Sequence, residues 1–465
     1  MHTPVRPGPR PPGAGPAVPD GARDVVVVGG GIVGLAVAWR AARAGLSVTV
    51  LDPAPGDGAT HAAAGMLAPV TEADFGEDAA LRLHLAAAAA WPGFAADLRA
   101  ATGADVGLRT AGTLTLAYDA DDLALLRRVL ALHAEHGLAS RELTVADARR
   151  REPYLGPRVA GAAWAPDDHA VDPRAVHAAL LGGLRGLVGG GTGAGSGPGT
   201  LAGSGTGSAV GAVVVRASAT RLALGRAGRV VGVHDDAGRL HAAGAVVVAA
   251  GWESGALLAD VPGVVVPTRP VKGQTLRLDA GPDLALEHVV RGVVQGRPVY
   301  VVPRDPVPDG QGRGVTGHRE VVVGATTEEN PDDRRATAGG VFALLRDARA
   351  LLPGIDEAAL VDVTPRARPA TPDNLPLVGP TGVPGLHLAT GHGRNGILLA
   401  PLTADAVMAG LTGAALPPTV AAALAPTRTD RFAEPGVAPH GRPDLGSDPG
   451  FGTVRSAAFS LTTPR

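Results

Sequence analysis

The chain has 465 residues, enough for two or more domains. With 45% hydrophobic and 18% charged residues and a net charge of −2, it has a globular composition and no basic excess to attract nucleic acid or an anionic membrane. It contains no cysteine, which excludes disulfides, thiolate metal sites, iron–sulfur clusters and a cysteinyl cofactor linkage.

Residues 1–22 are rich in Pro and Gly and lack an apolar run of signal-peptide length. They read as a disordered leader on a cytoplasmic protein, not as a secretory signal. The organising stretch is 24–51, DVVVVGGGIVGLAVAWRAARAGLSVTVL, followed by Asp52. Val25 to Val28 form a β-branched apolar run of the kind buried on both faces of a parallel sheet. Gly29, Gly31 and Gly34 then fall at G-x-G-x-x-G spacing, a helix follows over 32–44, and Gly45 stands where its C-cap would be. A second strand spans 47–51, and Asp52 ends it 18 residues beyond Gly34. Gly29 permits the tight turn, Gly31 lets a pyrophosphate approach the backbone, and Gly34 lets helix and strand pack closely. The helix N-terminus favours phosphate, and Asp52 can accept from both hydroxyls of an unphosphorylated ribose. An ordinary strand–turn–helix without ligand is the bland alternative. On these residues alone the dinucleotide could be NAD or FAD.

Farther on, residues 62–65 are tiny, which lets a flat ring lie against the backbone, and Met66 and Glu72 follow. Helices are expected at 79–102, 121–136, 143–152 and 171–187, with Asp172 and Pro173 opening the last. Strands are expected at 113–117, 212–216 and 245–249, and a hairpin at 221–234. A second sheet should form from 270–278, 298–303 and 321–325, with a helix at 339–352. Residues 365–379 read as an extended, proline-rich crossing segment, and 391–410 as glycines running into a helix. The Gly/Ser-rich insertion 189–211 is a flexible surface segment, and 433–465 a disordered tail. Nothing reads as spanning a bilayer.

The expected organisation is α/β: a Rossmann-like dinucleotide domain (23–104, 161–267, 356–432) interleaved with an α+β substrate domain (105–160, 268–355) on an antiparallel or mixed sheet. A simple nicotinamide dehydrogenase more often keeps its coenzyme fold contiguous. Interleaving favours a flavoprotein whose last helix returns to the cofactor.

Six segments, in this order, carry a family resemblance: DVVVVGGGIVGLAVAWRAARAG, HAAAGMLAPVTE, PVKGQTLRL, VYVVPR, ARPATPDNLPLVG and GHGRNGILLAP. They resemble the FAD-dependent D-amino-acid oxidase superfamily, and within it the glycine oxidases of thiamine biosynthesis. The resemblance implies non-covalent FAD contacted by Gly29, Gly31, Ile32, Val33 and Gly34, by Asp52 and Pro53, and by Ala59 and Thr60. Ala64, Gly65, Met66 and Ala219 are implied contacts too. So is the final motif, His392, Gly393, Arg394, Asn395, Gly396, Ile397 and Leu398. A helix N-terminus there would stabilise negative charge on a reduced ring. His61 lies one place off the register at which related dimethylglycine- and sarcosine-type enzymes attach FAD. The remaining histidines form no metal-ligand motif, so no metal is expected.

Oxidising an α-amino acid requires its carboxylate to be fixed, and a planar guanidinium does this bidentately. The resemblance aligns Arg368 with that arginine and Tyr300 with an active-site tyrosine, and places Met66 and Arg394 beside them as candidate active-site residues. Arg366 departs from the family pattern, where a small residue is expected, and is a rival to Arg368. Gln295 and Pro298 replace a tyrosine and a histidine found in some relatives. The implied reaction is oxidative deamination of glycine through the imine to glyoxylate, with oxygen reduced to peroxide. The imine could instead feed the thiazole-synthesis machinery. Oxidation of sarcosine or D-amino acids, a dehydrogenase, and a non-catalytic flavin-binding protein remain alternatives; a homo-oligomer is left open.

Overall fold

The computed structural model describes residues 22–189, 211–281, 284–305, 319–329 and 333–433. The expected leader, Gly/Ser insertion and tail fall, at residues 1–21, 190–210 and 434–465, outside the described residues.

Two eight-stranded sheets organise the chain. In the first, Arg23–Val28 pairs in parallel with Val48–Leu51 on one side and Leu240–Val248 on the other. Ala212–Val215 and Leu386–Thr390 extend it in parallel, and Leu377–Pro380 closes one edge antiparallel. Val25 to Val28 are buried, as a central parallel strand requires. The strands Ala219–Leu224 and Val230–Asp235 form the expected hairpin and attach to Leu240–Val248. The helix Ile32–Arg43 packs between this sheet and the helices Asp78–Thr102, Pro173–Gly189 and Gly396–Thr412. Trp39, Trp91 and Phe94 meet edge to face at the centre, with ring centroids 5.4 and 5.5 Å apart.

The segment Gly393–Thr412 has the length and apolarity of a membrane span. It serves as a core helix instead: Ile397 to Ala404 are buried, and Trp91 Nε1 donates to the Leu398 carbonyl at 2.9 Å.

The second sheet runs Ala359–Ala370, Arg269–Asp279, Glu320–Gly324, Arg297–Pro303, Val289–Val294, Thr113–Ala117, Gly161–Ala165, Arg141–Leu143. It is antiparallel except where Val289–Val294 lies parallel to Thr113–Ala117, so the expected mixed sheet is present. Four of its parts differ from expectation, one of them the short edge strand Arg141–Leu143, where a helix was expected from 143. Residues 359–370, half of which were assigned to a crossing segment, form a 12-residue strand. Its prolines Pro365 and Pro369 are tolerated because this is the edge, where one row of N–H groups needs no partner. Val289–Val294 and Gly161–Ala165 were not anticipated. Arg291 and Gly292 interrupt the apolar run of the first, and the second is largely alanine, a weak strand former. Gly161–Ala165 and Ala359–Ala370 therefore join this sheet from outside the limits 105–160 and 268–355.

Helix and strand approach closely at the first glycine loop. A Cβ on Gly34 would stand 2.0 Å from the Gly29 carbonyl oxygen, a backbone atom with no room to retreat. Gly34→Ala is expected to cost at least about 2 kcal/mol. Denaturant unfolding of the purified variant measures this; a wild-type value would contradict the packing role.

Candidate active site

The glycine loop is built by two backbone constraints. Gly29 has φ +108°, and a Cβ there would meet the Ala249 carbonyl oxygen at 2.3 Å. Its N–H donates to the Leu51 carbonyl at 2.8 Å. At Gly31, by contrast, a Cβ would find only the Thr60 hydroxyl, at 3.4 Å. The first turn of the following helix has no acidic residue, and Ile32 N–H donates to Thr60 Oγ1 at 3.0 Å. Asp52 sits at the end of its strand, accepting from Gly30 N–H at 2.6 Å and Ala54 N–H at 2.7 Å. Both carboxylate oxygens retain a lone pair for another donor. Pro53 is exposed beside it, Ala59 opens the short helix Ala59–Ala62, and Val33 lies in the first turn of the loop helix. Ala219 begins its strand opposite Asp235. An open position at the middle glycine, a helix N-terminus free of acid, and a fixed carboxylate suit the AMP and pyrophosphate portion of a dinucleotide.

His177, not singled out from the sequence, closes over this loop. Its Nε2 donates to the Gly30 carbonyl at 3.0 Å, and its ring abuts Gly56. Burial holds its imidazole below the ordinary value. A lone histidine on a helix gives no local signal of this contact.

His61 is engaged elsewhere: its Nε2 accepts from Arg174 at 3.0 Å, and Arg174 also pairs with Asp362. Burial and the Arg174 charge both lower its pKa.

The stretch after it meets the second sheet. Thr275 Oγ1 donates to the Ala62 carbonyl at 2.9 Å, and Arg304, buried, donates to the carbonyls of Ala64 at 2.6 Å and Val171 at 3.1 Å. Gly65 has φ +79° and comes so close to the Val171 carbonyl that no side chain fits. Met66 pairs with Ala170 and packs with Tyr300 against Ala64, Val289, Val302 and Val322.

The returning motif divides its roles. His392 turns its side chain into the core, where Nε2 pairs with Thr403 Oγ1 at 2.9 Å and burial pushes its pKa down to about 3. Gly393–Asn395 makes one tight turn, and Gly396 starts the helix. Arg394 points outward and pairs with Glu72 at 2.6 Å.

Tyr300 lies on the face of the second sheet that meets residues 62–66. Burial raises its hydroxyl pKa against the pull of the Arg368 guanidinium, so it stays a neutral donor. Arg291, across the ladder from Tyr300, was also not singled out. It pairs with Glu72 and donates to Thr71 Oγ1 at 3.2 Å. Burial pushes the Glu72 carboxyl up, but Arg291 and Arg394 outweigh it and leave the group below its ordinary value. Asp168 beneath accepts from Val70 N–H, Thr71 N–H and Thr71 Oγ1, and burial lifts it to about 6.

The rival arginines separate. Arg366 Nε donates to the Asp57 carbonyl and its Nη2 to Asp57 Oδ1, both at 2.6 Å. Arg368 makes one hydrogen bond among the described residues, to the Thr326 carbonyl at 3.2 Å. Its remaining donors are available to a ligand. Among the described residues no three His, Asp or Glu side chains group as a metal cage.

A sheet whose glycine loop suits a dinucleotide is joined to a second sheet bearing Arg368 and Tyr300, and the family match gives the class, an FAD-dependent oxidoreductase. Residues 24–409 match the DAO family of FAD-dependent oxidoreductases, and the chain belongs to that family. FAD is the family's cofactor, and the loop geometry above fits it. The chain is 31% identical over 382 residues to the bifunctional protein ThiO/ThiG of Nostoc sp., covering 82% of this chain and 51% of the relative. It thus spans about half the length of that curated relative. It is 32% identical over 384 residues to the glycine oxidase of Geobacillus kaustophilus, covering 82% of this chain and 90% of the relative. The crystal structure of that organism's glycine oxidase matches with TM-score 0.72 at 29% identity, over 88% of this chain and 99% of the other. An iminodiacetate oxidase from Chelativorans sp. matches with TM-score 0.70 at 25% identity, over 87% and 98%.

Two predictions follow from the charged groups. Glu72, depressed in the folded state, adds stability above its ordinary value of 4.5, and this is lost as pH falls through the folded value. Glu72→Gln should therefore be less stable than wild type at pH about 7, with the gap closing below pH about 4.5; a gap that persists at lower pH in denaturant titrations argues against it. Arg366→Gln should lose about 1 kcal/mol of stability while substrate KM stays within about twofold. Steady-state kinetics showing a large KM rise would move the carboxylate role to Arg366.

Proposed function

We propose that this protein is an amino-acid oxidase acting on glycine. The observation that carries the reading is Arg368, whose donors are nearly unspent beside the neutral Tyr300 hydroxyl, facing residues 62–66 of the FAD-binding domain. Gly29, Gly31, Gly34 and the first turn at Ile32 and Val33 would hold the pyrophosphate, and Asp52 the adenosine ribose. Pro53, Ala59, Thr60 and Ala219 line the same half. Ala64, Gly65 and Met66 would border the ring, with the turn from His392 to Leu398 at its other side.

Bound FAD supplies the two-electron oxidation that converts the amine to an imine. Arg368 grips the substrate carboxylate with two N–H groups, and Tyr300 donates a third hydrogen bond. The contacts orient the Cα–H bond and exclude larger side chains, with Met66 closing the pocket. No protein base is required once the amine is neutral, which suits a site where the nearby carboxylate, Glu72, is already engaged by Arg291 and Arg394. Water then hydrolyses the imine. Glycine, oxygen and water thus yield glyoxylate, ammonia and hydrogen peroxide. Arg394 supports the site through Glu72.

The bifunctional ThiO/ThiG relatives support a place in thiazole synthesis, where the imine would be used before hydrolysis. A cytoplasmic setting, without nucleic-acid or membrane partners and with self-association into a homo-oligomer, belongs to the same proposal. Sarcosine or a D-amino acid is the competing substrate, and the likeness to an iminodiacetate oxidase favours testing N-substituted glycines.

Anaerobic glycine should bleach the oxidised flavin absorbance, and peroxide release should be faster with glycine than with sarcosine, iminodiacetate, D-alanine or D-proline. Glycine inert beside an active D-amino acid would overturn the substrate assignment. Arg368→Lys should raise KM for glycine by about tenfold or more, because a point charge cannot form the fork.

A further inference from the structure

Arg368 and Tyr300 lie on bare backbone. A Cβ placed on Gly273 would stand 2.3, 2.4 and 2.5 Å from Nη2, Nη1 and Cζ of Arg368, so the guanidinium lies flat over that residue. A Cβ on Gly324 would stand 2.3, 2.4 and 2.6 Å from Oη, Cζ and Cε2 of Tyr300. Gly324 pairs with Thr275 on one side and Tyr300 on the other. Gly273 is two residues from Thr275 and therefore on the same face. The two glycines leave the backbone bare beneath the two side chains, with Thr275 standing between them on the same face.

A left-handed backbone does not explain them. Neither Gly273 nor Gly324 has a positive φ, and glycine inside a strand is unfavourable in entropy and packing. What both positions need is the missing Cβ. The bare backbone is also braced from behind. The Thr326 carbonyl that receives Arg368 belongs to a strap whose hydroxyl accepts from Gln274 N–H at 2.9 Å and donates to Glu328 at 2.7 Å. Glu328 is held in turn by Gln274 Nε2 at 2.6 Å and by the buried Lys272 ammonium at 3.2 Å.

We propose that Gly273 and Gly324 are positioning residues that set the substrate-carboxylate site, by giving the Arg368 guanidinium and the Tyr300 ring a flat surface on which both aim at the same carboxylate. The proposal rests on the assignment of Arg368 and Tyr300 to that carboxylate. A guanidinium pressed on a peptide plane keeps its N–H edge in one orientation, so less freedom is lost when the fork forms. An added methyl meets only the far end of a flexible side chain at Gly273. It should therefore displace the arginine with little loss of stability.

The test uses the FAD-loaded enzyme and acetate, a carboxylate without an oxidisable amine, with binding read from the flavin absorbance. Arg368→Ala must weaken acetate; if it does not, the carboxylate assignment itself falls. With that established, Gly273→Ala should weaken acetate and raise the glycine KM by about tenfold or more, with a near-wild-type melting temperature. In an Arg368→Ala background the same substitution should add nothing. Gly324→Ala should behave likewise against Tyr300→Ala. Acetate affinity and KM within about twofold of wild type, or an equal further loss in the arginine-less background, overturns the proposal. Should Gly273→Ala yield no folded holoenzyme, the double variant with Arg368→Ala decides. It lacks the clash and must fold, and if it also fails, the glycine serves sheet packing and the proposal falls.

Discussion

Everything at the candidate site depends on a buried arginine that ties two sheets together. Arg304 leaves the strand Arg297–Pro303 and donates to the carbonyls of Ala64 and Val171, both outside its own sheet. Hydrogen bonds from a charged donor contribute about 1.5–3 kcal/mol each, and a bare carbonyl at this depth would otherwise cost a similar amount. Burial pushes the guanidinium down to about 10, still protonated at neutral pH. Thr275 adds a neutral bond to Ala62 in the same seam. Together they hold residues 62–65 against the face that carries Tyr300, so the cofactor-side backbone and the substrate-side strands share one frame.

Around that frame the charges are arranged in separate circuits. Glu72 is shared by Arg291 and Arg394, which links the loop after Met66, a strand of the second sheet and the turn before the helix Gly396–Thr412. Asp57 engages Arg366 and Arg334. Lys272, buried behind the sheet, is matched by Glu328. Among the described residues Arg368 has no carboxylate partner in these circuits, and its charge acts on the Tyr300 hydroxyl. A cation left unpaired among paired neighbours is what an anionic substrate group can use.

Legibility in the sequence followed the range of each interaction. The glycine loop was readable because strand, turn, helix and acid lie within one short stretch, and the structure keeps Gly29, Gly34 and Asp52 in the positions their spacing implied. Most helices and long strands were readable from periodicity and caps, as with Asp172, whose side chain accepts from Arg174 and Ala175 N–H. The strand Val289–Val294 was not, because Arg291 faces a polar network and spoils the apolar run that would have marked it. His177 was invisible for a similar reason: its partner, the Gly30 carbonyl, is 147 residues away.

The sequence alone determined the glycine-loop fold and the presence of a second mixed sheet, since these rest on local pattern; the candidate carboxylate-binding side chains came from the family resemblance. The sequence could not choose between Arg366 and Arg368, two residues apart on one face of one strand. The tertiary structure separates their surroundings: Asp57, 309 residues from Arg366, engages it across the fold. The neighbouring arginine is left lying on Gly273 with its donors open, because ion pairs form between groups that folding brings together, and spacing along the chain does not encode them.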